Sequence, residues 1–287
     1  MEKILEIKNL SKNYNNFKLE NVSFNIEKGY IMGFIGPNGS GKTTTIKLIM
    51  NLIKRNSGEI RVFGLDNIHH EKEIKNRIGF VYDESNYYDN LSIKDNAKLI
   101  ADFYEKWNWQ EFNRYLNIFG LDNKHKIKEL SKGMKTKFAL ATALSHEAEL
   151  LLMDEPTSGL DPVSRQEIIS ILQEYIEDGN KSVLFSTHII SDIEKMADYV
   201  TFINKGKIVF SDEKLKIEDD YRIVKGGLDV LDGSLSDDLI KIKKNKYGFS
   251  GITKDYIKLQ NKYGSKIIID KPNIEEIMLY MAGEKHE

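Results

Sequence analysis

The sequence of 287 residues predicts an α/β fold with a mostly parallel sheet. Two all-apolar runs, at 150–153 and 182–186, predict buried parallel strands, and an amphipathic helical pattern separates them. Residues 3–31 alternate between apolar and polar side chains, which predicts an N-terminal antiparallel β subdomain. Apolar residues recur at spacings of three and four from about 92 to 147, so we expect an inserted helical subdomain at about 85–147.

The remaining elements follow the same patterns. Residues 57–64 and 78–82 predict two further strands, and the helix between the two apolar runs ends near Gly179. From about residue 212 the periodicity weakens into short mixed segments. We therefore expect one domain at 1–212 and an accessory region of mixed α/β structure at 213–287.

The composition of the chain excludes some classes of function and disfavours others. The chain has no cysteine, which excludes disulfides, thiol catalysis and cysteine-based metal sites. A formal net charge of −2 gives no general attraction to nucleic acid or anionic lipid, so we expect no nucleic-acid partner. The basic run at 241–246 is interpreted as a solvated face in preference to a lipid or nucleic-acid patch. Because no apolar run is long enough to cross a bilayer and no signal peptide is evident, we expect a cytoplasmic location.

Residues 36–43 read GPNGSGKT and match the phosphate-binding pattern GxxxxGK[ST]. Its glycines allow backbone conformations that turn successive N–H groups toward an anion. Lys42 brings a positive charge to the β- and γ-phosphates, and the Thr43 hydroxyl is suited to ligate Mg²⁺. A strand-like run enters this loop and a helical run leaves it, which predicts a P-loop NTPase core that binds a nucleoside triphosphate. The predicted nucleotide contacts in this loop are Gly36, Pro37, Asn38, Gly39, Ser40, Gly41, Lys42, Thr43 and Thr44.

An acidic pair, Asp154 and Glu155, ends the apolar run that begins at residue 150. The carboxyl end of such a strand is where an α/β sheet holds its ligand. Asp154 is suited to hold Mg²⁺ through water, and Glu155 can polarise the water that attacks the γ-phosphate. Alone, such a pair fits a helix cap equally well, but the upstream phosphate loop favours the catalytic interpretation.

Further motifs are LSKGM at 130–134, SGLD at 158–161, STH at 186–188, and Tyr14 near the start of the chain. With the phosphate loop and LLLMDE, and in this order, they resemble the nucleotide-binding subunit of an ATP-binding-cassette (ABC) transporter. The resemblance covers roughly residues 2–212 and extends to the ATPases of small bacterial ABC-2-type exporters. It implies ATP and Mg²⁺ as the bound groups.

The resemblance also implies roles for individual residues. Tyr14 would stack on adenine, although packing within a strand is the alternative. Ser131 and Gly133 would form the signature motif, which contacts the γ-phosphate bound by the opposite subunit. Asp161 would couple the two sites of the dimer. His188 would contact the γ-phosphate and hold the attacking water, whereas an isolated histidine is more often structural.

Three positions depart from the family pattern. Asp83 stands where the family usually has a glutamine that reaches Mg²⁺ and touches the membrane subunit. A carboxylate can accept from metal-bound water but cannot donate as an amide does, so we expect Asp83 to keep the Mg²⁺-side role with altered coupling. In the signature, Met134 replaces a glutamine and Lys132 replaces a glycine.

The leading functional hypothesis is an ATPase that powers export through a separate transmembrane subunit at the inner face of the cell membrane. It would act as a homodimer or as a heterodimer with a second ATPase subunit. One alternative is a soluble ABC-type ATPase acting on ribosomes or DNA, but the signature follows Lys42 too closely for a long insertion between them. Another is a regulatory module that only senses ATP, against which the intact Glu155 and His188 argue.

Overall fold

A computed structural model describes residues 2–83 and 87–282. The chain divides into two compact units, Met1–Ser211 and Asp212–Glu287. From the N-terminus to residue 213 the strands are β1 (Lys3–Asn13), β2 (Lys18–Glu27), β3 (Ile31–Ile35), β4 (Ser57–Val62), β5 (Leu65–Asp66), β6 (Ile78–Val81), β7 (Leu150–Asp154), β8 (Ser182–Thr187), β9 (Tyr199–Asn204) and β10 (Lys207–Glu213). Over the same range the helices are α1 (Lys42–Ile49), α2 (Glu71–Asn76), α3 (Ile93–Ala101), α4 (Trp109–Ile118), α5 (Lys132–Leu144), α6 (Pro162–Ile176) and α7 (Ile190–Met196), with a 3₁₀ turn at Ile127–Glu129.

The antiparallel sheet predicted near the N-terminus is present, with strand order β2-β1-β4-β5. β1 pairs antiparallel with β2 and with β4. Its alternating apolar side chains are buried, as a sheet with one packed face requires. The Phe24 ring lies 5.3 Å from the Phe34 ring of β3, so this sheet shares its core with the central one.

The central sheet has the order β10-β9-β3-β8-β7-β6. β3 pairs parallel with β8 and β9, and β7 pairs parallel with β6 and β8. Every residue of β3, β7 and β8 is buried, which explains why the sequence of β7 is a continuous apolar run up to Asp154. Because these strands are parallel, β3, β6, β7 and β8 all end at one edge of the sheet.

Helices α3, α4 and α5 lie between β6 and β7, as the periodicity predicts, and α5 ends at Leu144. The predicted start of this helical segment, at about residue 85, lies outside the described residues. Side chains of Ser92, Asn108 and Ser131 accept backbone N–H groups at the three helix N-termini. The buried ring of Phe138 packs edge-on against a ring of α4. The helices are therefore held by capping and by aromatic packing.

The second unit has its own sheet and core. Its strands are β11 (Arg222–Gly226), β12 (Lys241–Asn245), β13 (Gly248–Thr253) and β14 (Ile267–Asp270). Its helices are α8 (Lys214–Asp220), α9 (Gly233–Asp237), α10 (Tyr256–Tyr263) and α11 (Ile274–Ala282), with a 3₁₀ turn at Gly264–Lys266. The order β12-β13-β11-β14, with antiparallel pairs and β-α-β-β-α-β connections, is a split βαβ arrangement. Lys243 and Lys244 are exposed on the edge strand β12. Over residues 2–83 and 87–282, no helix combines the length and the apolar character that a bilayer span requires.

His146 is a buried titratable group that follows α5. It is 1% exposed, and its ring stacks on Tyr104 with centroids 3.7 Å apart. Burial disfavours the imidazolium and lowers the pKa of His146 from 6.5 to about 4. A base whose pKa is lowered in the folded chain contributes stability that is present above pH 6.5 and is lost as the pH falls toward 4.

We expect His146→Phe, which keeps a ring on Tyr104, to flatten this acid dependence. The difference in unfolding free energy between pH 7 and pH 4.5 should shrink by about 2 kcal/mol, measured by denaturant titration at both pH values. The control His125→Gln changes an exposed histidine and should leave the difference as it is. If the His146→Phe chain had the same pH dependence of stability as the unaltered chain, the buried imidazole of His146 would not be its source.

Candidate functional site

The phosphate loop follows β3 and leads into α1. A Cβ at Gly36 would lie 2.2 Å from the Ile203 carbonyl oxygen, so only glycine fits there. Gly41 has φ +114°, which also favours glycine, and it caps α1. The buried hydroxyl oxygen of Ser40 has no hydrogen-bond partner among the residues described, so it is free to meet an added anion.

Lys42 is 6% exposed and lies at the centre of the site. Its Nζ donates to the Gly36 carbonyl oxygen at 2.8 Å and lies 3.2 Å from Oε1 of Glu155. A buried ammonium needs such compensation, and a phosphate would supply more of it. The lysine predicted to bind phosphate is therefore held beside the carboxylate predicted to be catalytic.

Asp154 is buried at the end of β7. Its Oδ1 accepts from the Ser186 hydroxyl at 2.5 Å, and its carboxylate also accepts from the Thr43 hydroxyl. Burial raises the pKa of Asp154, and the nearby charges of Glu155 and Asp83 raise it further, while the Ser186 and Thr43 hydrogen bonds oppose the rise. A cation beside this carboxylate would favour its ionised form.

Glu155 has φ 51°, a left-handed backbone conformation that is uncommon for a residue with a Cβ. Its N–H donates to the carbonyl oxygen and to Oγ of Ser186, at 3.2 and 3.0 Å. Its Oε2 accepts from Nδ1 of His188 at 2.8 Å, and His188 directly follows β8. Strained residues of this kind concentrate at functional sites, where the surrounding contacts hold them.

A cavity of about 660 Å³ adjoins these groups. It brings most of the predicted residues together and adds Asn16 and Phe17, which the sequence analysis missed, and Ser158, the first residue of the SGLD motif. Tyr14 is not among its lining residues; its ring lies 6.4 Å from that of Phe17 and is 47% exposed. The lining consists of Asn16, Phe17, Asn38, Gly39, Ser40, Gly41, Lys42, Thr43, Thr44, Asp83, Glu155, Ser158 and His188. Stacking of Tyr14 on adenine stays a prediction.

Ser131, Gly133 and Asp161 do not line this cavity. Ser131 caps α5, where its Oγ accepts from the Met134 N–H at 3.2 Å. Asp161 caps α6 and accepts the N–H groups of residues 163 and 164, and hydrogen bonds from Ser164 lower its pKa. Within one chain Ser131 and Asp161 are helix caps and Gly133 lies in the first turn of α5, and their predicted contacts with a second subunit stay predictions.

The donor set fits Mg²⁺ only together with a phosphate. Thr43, Asp154 and Asp83 offer hard oxygen ligands at the edge of the sheet. In the described part of the chain, no group of three or more acidic, histidine or cysteine residues could hold a metal ion. Mg²⁺ commonly binds through one or two carboxylates plus substrate phosphates, and these residues match that pattern.

Comparisons with known proteins agree with this geometry. A family model described as ABC transporter matches residues 19–158. The chain is 36% identical over 212 residues to the bacitracin transport ATP-binding protein BcrA of Bacillus licheniformis, which covers 73% of this chain and 69% of that protein. The chain belongs to the ATP-binding subunits of ABC transporters. It is therefore an ATP-binding and ATP-hydrolysing transporter subunit, and a soluble ATPase acting on ribosomes or DNA is not favoured.

Other ABC proteins extend the comparison. The lantibiotic transport ATP-binding protein SrtF of Streptococcus pyogenes is 36% identical over 73% of this chain and 91% of its own length. A solved ATP-binding subunit of an ABC transporter superposes with a TM-score of 0.69 at 27% identity, over 75% of this chain and 92% of that one. The ABC cassette MJ0796, solved as a dimer bound to ADP and Pi, gives a TM-score of 0.66 at 25% identity, over 73% of this chain and 98% of that one. The predicted α/β cassette fold is confirmed.

We expect Asp83→Ala to raise the Mg²⁺ concentration for half-maximal ATPase activity by about tenfold, because an outer-shell metal partner is lost. ATP turnover at varied Mg²⁺ and saturating ATP measures this. Asp89→Ala, which removes a carboxylate that does not line the cavity, serves as the control. Unchanged turnover and Mg²⁺ dependence in Asp83→Ala would show that Asp83 has no role at the metal.

Proposed function

We propose that this subunit powers export by closing head to tail with a second ATP-binding subunit when ATP binds, and by reopening on hydrolysis. The two ATP sites would lie at the interface, each completed by Ser131 and Gly133 of the opposite subunit. The capped N-terminus of α5 supports this role, since its N–H groups and hydroxyl suit an anion. ATP acts by favouring the closed state.

The observation that carries the chemistry is the continuous contact from Lys42 through Glu155 to His188. Lys42 would bind the β- and γ-phosphates, and Thr43 and Asp154 would hold Mg²⁺, which neutralises charge on the phosphates. Glu155 would accept a proton from the attacking water. Because Nδ1 of His188 donates to Glu155, the imidazole can orient the carboxylate toward the attacking water.

The expected partner is a separate transmembrane subunit, which would hold this chain at the inner face of the membrane. The relatives BcrA and SrtF are transport proteins for bacitracin and a lantibiotic, which supports peptide antibiotics as the cargo class. The membrane subunit selects the cargo in this arrangement. The second ATP-binding subunit can be another copy of this chain, because the chain carries both the phosphate loop and the signature.

We expect Glu155→Gln to lower the rate of ATP turnover at least about 100-fold, because an amide cannot accept the proton. The same variant should double in mass in solution on addition of ATP and Mg²⁺, since the closed pair is no longer opened by hydrolysis. Light scattering with and without ATP measures the mass.

The matched control is Glu177→Gln, which removes an exposed carboxylate at the end of α6. It should hydrolyse ATP as the unaltered chain does. Normal turnover in Glu155→Gln would refute the catalytic role of Glu155. Co-purification of the unaltered chain with ribosomes in place of a membrane protein would refute the transport role.

A further inference from the structure

Two positions that depart from the ABC sequence pattern form an ion pair. Nζ of Lys132 lies 2.9 Å from Oδ1 of Asp83. Lys132 is the first residue of α5, directly after the signature serine Ser131, and Asp83 follows β6. The two positions are 49 apart in the sequence numbering. At two positions where the family usually has uncharged residues, this chain therefore has a cation and an anion, and the two form an ion pair.

Asp83 lies at the boundary between two cavities. One is the cavity of about 660 Å³ that contains Lys42 and Glu155. The other, of about 360 Å³, is lined by Asp83 and Lys132 together with Leu130. The charge of Asp83 also contributes to the raised pKa of Asp154, so Asp83 is within electrostatic reach of the phosphate site. The Asp83 carboxylate can therefore interact either with Lys132 or with the groups of the phosphate site.

The ion pair between Lys132 and Asp83 is exposed enough for Lys132 to change its partner. The side chains of Lys132 and Asp83 are 50% and 43% exposed, and an ion pair in water at such a position contributes little stability. Lys132 also passes beside the SGLD segment, where a Cβ at Gly159 would lie 3.5 Å from its Cδ. The ammonium therefore stands on the side of the chain that carries both motifs assigned to the dimer interface.

We propose that Lys132 changes partner during the cycle: within one chain it neutralises Asp83, and in the closed pair it binds the γ-phosphate of the ATP held by the opposite subunit. The inference rests on the head-to-tail pairing proposed above. A terminal phosphate carries more charge and more acceptor oxygens than one carboxylate, so it displaces Asp83 as the partner of Lys132. Asp83 is then released toward the metal side of its own site.

The test uses the Glu155→Gln chain and measures the ATP concentration at which half of it becomes dimeric, by light scattering at fixed Mg²⁺. Adding Lys132→Met, which keeps an unbranched stem without charge, should raise that concentration about tenfold. Lys132→Arg should restore it to within about twofold, because the guanidinium keeps the charge. Adding Asp83→Asn should lower it severalfold, since Lys132 loses its competing partner and the amide oxygen can still accept from metal-bound water.

The control Lys128→Met removes an exposed charge that lines neither of the two cavities, and it should cause no shift. The double variant Lys132→Met/Asp83→Asn should behave as Lys132→Met does. An unshifted Lys132→Met, or an Asp83→Asn shift in the same direction as Lys132→Met, would overturn the inference alone. If Glu155→Gln stays monomeric at saturating ATP before Lys132 is changed, the pairing itself is overturned, and the inference with it.

Discussion

The parallel pairing of β3, β7 and β8 is the constraint on which the site depends. Ile35 lies beside Thr187, and Asp154 lies beside Ser186, so the phosphate loop, Glu155 and His188 leave the sheet at one edge. One Ser186 hydroxyl then donates to Asp154 and accepts from the Glu155 N–H. A slip of one residue in this register would turn Asp154 to the other face of the sheet and separate these groups.

The left-handed backbone at Glu155 follows from the same constraint. Asp154 must point toward Thr43 while the next carboxylate reaches Lys42 and His188, and consecutive side chains of an extended strand would point to opposite faces. A positive φ directly after β7 redirects the second side chain. Such a conformation costs about 1–3 kcal/mol, and the hydrogen bonds to Ser186 and the ion pair with Lys42 help to offset it.

The sequence predicted the central sheet and most of the cavity because these features are encoded locally. The phosphate loop and the LLLMDE run each carry their pattern within a few adjacent residues, and parallel strands bring their ends together without further information. Phe17 and the Asp83–Lys132 pair were missed because they depend on contacts between distant segments. Nor does the weak periodicity after residue 212 encode strand order, so the split βαβ arrangement was predicted only as mixed α/β structure.

The charges at the site link nucleotide binding to pairing. Asp83, Asp154 and Glu155 lie near one another at this edge, Glu155 lies beside the buried Lys42, and burial has already raised the pKa of Asp154. A nucleoside triphosphate adds further negative charge to this edge, so it binds well only where more cations arrive with it. Mg²⁺ would supply part of that charge, and in the proposed pair Lys132 of the opposite subunit would supply more. Within its own chain that ammonium is neutralised by Asp83, so the γ-phosphate has to outcompete this carboxylate before Lys132 can bind at the opposite site. The proposed pair would therefore depend on ATP, because only the bound γ-phosphate would draw Lys132 away from Asp83 and across the interface.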